Sequence, residues 1–276
     1  MSFKIVSDSS SDIMALSGVD FASAPLKIIN DEHEYVDDAS LDTSAMLTEL
    51  AKYSGKSRTS CPNTGEYIEA FGEADCVFCV TITSGLSGSF NAASVAAKTY
   101  MEEHPDRRVH VIDSLSTGAE NALLLDKLVE LISEYGDFDT VVEKITEYHQ
   151  HTRLIFALES MDNLAKNGRV SPIVAKLCGM LSIRVVGRAS DVGTLEVIEK
   201  ARGERAMIAS MVKNMANDGW TGGKVRIHHA DNPRTAELLR TAILAEKPEA
   251  SIVVAPARGL CSFYAERGGL LLGFEV

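Results

Sequence analysis

Along the first 150 residues, apolar runs of strand length alternate with longer stretches whose apolar positions repeat at helical spacing. FKIVSD (3–8) is a short strand that ends in Ser and Asp, and APLKIIN (24–30) reads as another. SAMLTELAKY (44–53) puts Leu47 and Leu50 on one helical face. TSCPNTGEYIEAF (59–71) reads as a loop entering a helix, with Asn63 or Thr64 as the N-cap. CVFCVTI (76–82) is apolar enough for a buried strand, and a helix rich in small residues follows over 87–104. RVHVIDS (108–114) is a strand, 116–136 a helix ended by Gly136, and 138–151 a further helix. Strands alternating with helices predict βαβ units and a mostly parallel sheet.

The texture changes after about residue 152. Strand-like runs recur at 153–160, 182–187, 194–201, 224–231, 251–256 and 270–276, with helices at 203–219, 232–247 and 260–267. VGRASDVGTLEVI reads as a hairpin through Asp191, Val192 and Gly193. The expectation is an α/β protein of two domains, 1–152 and 153–276, the second a mixed sheet with helices on one face. No Pro, Gly or Ser linker separates them, so they should pack closely.

Ligands of open parallel sheets bind at the carboxyl ends of the strands. Small hydroxyl and acidic residues recur at those ends: Ser7–Asp12, Thr59–Ser60, Thr83–Ser89, and Asp113–Ser114 with Ser116–Gly118. Each alone can be a helix N-cap. Together they suggest a shared site. Backbone N–H groups and neutral hydroxyls amid apolar sequence suit an acid head group on an apolar body. A nucleotide suits it less, since neither GxGxxG nor GxxxxGK[ST] occurs.

Composition and charge narrow the class. The 276 residues are 45% hydrophobic, ample for a core, and the formal charge of −12 argues against nucleic acid as a partner. No apolar run is long enough to span a bilayer, and the N-terminus lacks the features of a signal peptide, so a cytoplasmic location is expected. Cys61, Cys178 and Cys261 stand alone. Cys76 and Cys79 have CxxC spacing, but in a strand they point to opposite faces and read as buried thiols. No zinc site and no cofactor are expected.

A hydrolase is the alternative. Gly85-Leu86-Ser87-Gly88-Ser89 resembles a GxSxG elbow with Ser in place of the last Gly. His228, His229 and Asp231 downstream are the source of a base and an acid for Ser87 in that reading.

Taken in order, IVSDSSSD, RTSCPNTGEYIEAF, TITSGLSGSFNAA, VIDSLSTGAE, LAKNGRVS and HHADNPRTAELL resemble the DegV family of bacterial proteins over nearly the whole chain. That family includes the fatty-acid-binding subunit of fatty-acid kinase. The resemblance implies a DegV-like EDD fold: an N-terminal three-layer α/β/α domain with a parallel sheet, a two-layer C-terminal α/β domain with a mixed sheet, and a long-chain fatty acid between them. It also implies a lipid-binding protein without catalysis of its own, which presents the carboxylate to a partner kinase for acyl-phosphate formation. Carried over, the carboxylate contacts are Thr59, Ser60, Ser84, Gly85 and Ser87, and Arg169 and Arg202 lie on the partner or phosphate side. The chain departs from the family at PARGLCSFYAERGG: Ala257 stands where many relatives have His, and Arg258 is the candidate replacement donor. Cys61 stands where relatives often carry Gln or another polar residue. Phe156, Met161, Leu164, Ile173, Leu177, Met180 and Phe263 are candidates for the apolar lining.

Overall fold

The structure is a computed structural model in which residues 1–176 and 182–276 are described. In chain order the strands are β1 Phe3–Asp8, β2 Asp20–Ala24, β3 Lys27–Ile29, β4 Glu34–Val36, β5 Arg58–Ser60, β6 Cys76–Thr81, β7 Arg108–Asp113, β8 Thr152–Leu158, β9 Ile183–Ala189, β10 Leu195–Arg202, β11 Val225–His229, β12 Ile252–Pro256 and β13 Leu270–Glu275. The helices are α1 Thr43–Lys52, α2 Thr64–Phe71, α3 Ser89–Glu103, α4 Ala119–Tyr135, α5 Phe138–His149, α6 Asp162–Lys166, α7 Pro172–Ala175, α8 Glu204–Asn217, α9 Pro233–Glu246 and α10 Gly259–Ala265.

β2, β1, β6 and β7 form a parallel sheet in that order. β6 is buried along its whole length because it is central and covered on both faces. Val77 and Cys79 meet α2 and α3 on one face, whereas Cys76, Phe78 and Val80 meet α4 and α5 on the other. This is the predicted three-layer arrangement, and Cys76 and Cys79 are buried, free thiols on opposite faces. Helix ends follow local chemistry: Asn63 caps α2 in a reciprocal box with Glu66, and Gly136 ends α4 in the left-handed conformation.

The run 24–30 differs from expectation. Asp20–Ala24 joins the parallel sheet as its edge, Pro25 cannot donate to a ladder, and Lys27–Ile29 pairs instead with β4 and β5 in a small antiparallel sheet. Leu26 N–H donates to Ser9 Oγ at the break (3.0 Å).

The second sheet is mixed, in the order β10-β9-β8-β13-β11-β12, and only β11 and β12 are parallel. The predicted hairpin is the β9–β10 connection. α8 and α9 cover one face through Ile155, Ala157, Leu270 and Leu272. The other face of this sheet is covered as well. It meets the start of α4 as well as α6 and α10, the short helices α6 and α7 having carried no readable period. α4 thus lies between the two sheets, and a Cβ on Gly273 of β13 would come within 2.6 Å of the Ala119 carbonyl oxygen. Arg226 and Asp126 tie the halves further through a bidentate pair (2.7 and 2.6 Å).

Candidate functional site

The carboxyl ends of β1, β6 and β7 converge, as the parallel arrangement demands. Their centre is Asp8, fully buried. Its carboxylate accepts from Ile82 N–H (2.9 Å), Ser89 Oγ (2.6 Å) and Ser10 Oγ (2.5 Å). Tyr67 completes the cage through its hydroxyl, 2.7 Å from Ser89 Oγ. Burial pushes the Asp8 carboxyl above its ordinary range, and these donors pull it back. The capping expectation holds for Asp8, which accepts from Ser10 N–H in a short 3-10 turn, Ser9–Ser11. It fails for α3 and α4, whose N-caps are Gly88 and Gly118 without side-chain bonds. The hydroxyls around them are therefore free for other work or hold the loops together.

Beside this cage a cavity of about 280 Å³ is lined from both halves of the chain. Its polar residues include Thr59, Ser60, Ser87, Thr117, Arg169 and Tyr264, and the rest is mostly apolar, with Leu154, Phe156, Leu158 and Leu271 from the mixed sheet. Thr59 and Tyr264 share a hydrogen bond between their hydroxyls (2.7 Å). Arg169 Nε donates to the Leu86 carbonyl (3.2 Å), and the guanidinium also bonds the Asn167 carbonyl. Burial pushes the Tyr264 hydroxyl's pKa up, against the smaller opposing effects of the Thr59 hydrogen bond and the Arg169 charge. Ser60 and Gly88 are exposed and Ser87 is half-buried, so the polar side reaches the surface.

The structure brings together Thr59, Ser60 and Ser87 of the predicted carboxylate contacts, and Arg169 lines the same cavity. Thr59 arrives on the small antiparallel sheet, not at the edge of the parallel one. Ser84 and Gly85 do not line the cavity: Ser84 is exposed, and its N–H donates to Asp113 Oδ1 (3.0 Å). Arg202 is exposed at the end of β10. Arg258 also stays out of the lining. Its backbone N–H donates to Asp12 Oδ1 (2.7 Å), and its guanidinium bonds the carbonyls of Asp38 and Leu41. Ala257 is buried, with its N–H on the His229 carbonyl (2.9 Å).

Of the predicted apolar lining, Phe156 and Leu164 face the cavity. Met161 and Phe263 are buried in the core outside the lining, and Ile173 is 78% exposed. Leu177, Met180 and Cys178 lie outside the described residues. Two wall residues that sequence reasoning missed are Tyr264 and Cys261. Both sit in LCSFYAER, where Leu260, Cys261, Phe263 and Tyr264 read as the core face of a short helix and nothing marks them as a cavity wall.

The hydrolase constellation is not assembled. Ser87 Oγ accepts from Ser89 N–H (3.3 Å), and no described histidine bonds it. His228 is buried, with Nδ1 on Asp12 (2.8 Å). No described cluster of three or more His, Cys, Asp or Glu is placed to hold a metal.

Asp37 fixes α10, which carries Tyr264. Its carboxylate accepts from Gly259 N–H (2.7 Å) and Leu260 N–H (2.8 Å). Burial first, and then the Asp12 charge, push its pKa up to about 6. A raised carboxyl means that the native state binds the proton more tightly than the unfolded chain. Stability therefore falls as pH rises from about 4 through 6, by about 3 kcal/mol for this group. Asp37→Asn is expected to flatten that slope in denaturant unfolding measured across the window. Parallel profiles for the two proteins would refute the assignment.

A model of the DegV family, described as uncharacterised proteins, matches residues 2–274. The chain belongs to the DegV family. A DegV domain-containing protein of Streptococcus pneumoniae is 42% identical over 280 residues, covering all of both chains, and one of Streptococcus gordonii is 41% identical with the same coverage. Two solved structures superpose over the full length of both chains at 42% identity and a TM-score of 0.98. One is a DegV family protein of Eubacterium eligens loaded with heptadecanoic acid. The other is the fatty acid kinase (Fak) B3 protein of S. pneumoniae loaded with linoleic acid.

Proposed function

We propose that this DegV protein binds a long-chain fatty acid in the cavity between two α/β domains, 1–152 and 153–276, and presents its carboxylate to a partner fatty-acid kinase. The observation that carries the reading is the cavity itself: a group of hydroxyls and one arginine, continued by leucine and phenylalanine. Its relatives of equal length and 42% identity hold heptadecanoic and linoleic acids.

The chemistry follows from the side chains. Ser87 and Thr59 donate to the carboxylate without carrying charge, and Arg169 supplies the countercharge. No acid among the described residues pairs with Arg169. The acyl chain takes the apolar remainder, at roughly 0.8 kcal/mol per buried CH₂. Since the polar side reaches the surface, a carboxylate oxygen stays accessible to a phosphoryl donor held by the partner. Arg202, exposed on β10, is the candidate contact for that partner. The protein contributes binding and orientation, and the kinase contributes the transfer. The site needs no cofactor. Among the described residues no helix is long and apolar enough to cross a membrane, and the reading places the protein in the cytoplasm, where a kinase and its nucleotide meet it.

Ser87→Ala tests the seat. Loss of one hydrogen bond to a charged group costs roughly 1.5–3 kcal/mol, so oleate affinity is expected to fall at least about tenfold with unfolding unchanged. Equal affinity in a calorimetric titration would remove Ser87 from the seat.

A further inference from the structure

The loop that carries Ser87 is gripped from the second half of the chain. Thr83, 1% exposed, begins the loop, and its carbonyl accepts from Leu86 N–H (3.3 Å) and Ser87 N–H (3.2 Å). Its hydroxyl donates to the Gly193 carbonyl in the β9–β10 turn (2.8 Å) and accepts from Gly85 N–H (3.0 Å). One residue therefore sets the backbone at Ser87 and is itself fixed by the hairpin.

The fit is close. A Cβ on Gly85 would stand 2.8 Å from the Gly193 carbonyl oxygen, and one on Gly193 would overlap Thr83 Oγ1. Gly193 also has φ +71°, which glycine adopts without steric cost. The turn is rigid on its own account: Gly193 N–H donates to Ser190 O, Ser190 N–H to Thr194 O (both 2.8 Å), and the Ser190 and Thr194 hydroxyls bond each other (2.8 Å). Leu195, two residues on, lines the same cavity as Leu86 and Ser87, whereas Thr83 does not.

We infer that the 190–194 turn is a clasp on the Ser87 loop, with Thr83 as a positioning residue that acts through Ser87 and governs how fast the bound acid leaves. This rests on the reading of Ser87 as a carboxylate contact.

The test is the exchange rate of isotope-labelled oleate. Thr83→Val keeps the shape and removes the hydroxyl, and Thr83→Ser restores it. Dissociation is expected to be about fivefold to tenfold faster in Thr83→Val and near the parent rate in Thr83→Ser. Gly193→Ala disturbs the same contact from the hairpin and should match Thr83→Val. A lower melting temperature with unchanged dissociation in Thr83→Val would make Thr83 merely structural and overturn the inference. Amide exchange at Gly85 reads the unaltered protein: strong protection is expected, and free exchange would also overturn it. An unaltered protein that takes up no oleate would instead remove the fatty-acid reading, and the clasp with it.

Discussion

Asp8→Ala is expected to destabilise the protein by about 3–5 kcal/mol. The carboxylate is fully buried where β1, β6 and β7 end, and it satisfies Ile82 N–H, Ser10 Oγ and Ser89 Oγ together. Alanine leaves those donors without an acceptor in a place water does not reach, and each loss carries a desolvation cost of about 1–3 kcal/mol. The loss also frees the start of the Ser87 loop, because Ile82 precedes Thr83. Asp8→Asn keeps the volume but places an amide donor among donors, so it should recover only part of the stability. Urea unfolding measures both, and a loss below about 1 kcal/mol for Asp8→Ala would show that the cage is not what holds the strand ends.

The second large effect is expected at Arg169. Arg169→Glu sets a carboxylate against the ligand's own. It removes a charge-assisted bond and adds like-charge repulsion, together on the order of 4 kcal/mol, or about a thousandfold in affinity. Arg169→Lys keeps the charge and should lose far less. The pair separates charge from the guanidinium's other task, the bond to the Leu86 carbonyl. Equal losses in both variants would assign Arg169 to holding the loop and not to the acid.

The parallel sheet was legible because β1, β6 and β7 are short, mainly apolar runs that each end in hydroxyl or acidic residues. Ser87 was legible for the same reason, and the family motifs placed Thr59 beside it. The small antiparallel sheet was not legible. Its strands are three residues each, too short to show a period, and Pro25 hides the switch from one sheet to the next. The position of Arg258 was hidden too: nothing local shows that Asp12, 246 residues earlier, pins its backbone and turns its side chain toward Asp38. The cavity wall was only partly legible, since a leucine in a wall and a leucine in a core have the same pattern. Phe156 and Met161 lie five residues apart, yet only Phe156 faces the cavity.

The most direct measurement is to purify the protein, denature it, extract it with organic solvent and analyse the extract by mass spectrometry. A long-chain fatty acid in near-stoichiometric amount is expected, or stoichiometric uptake of added oleate by protein that emerges empty. An empty extract together with no uptake of any added long-chain acid would contradict fatty-acid binding.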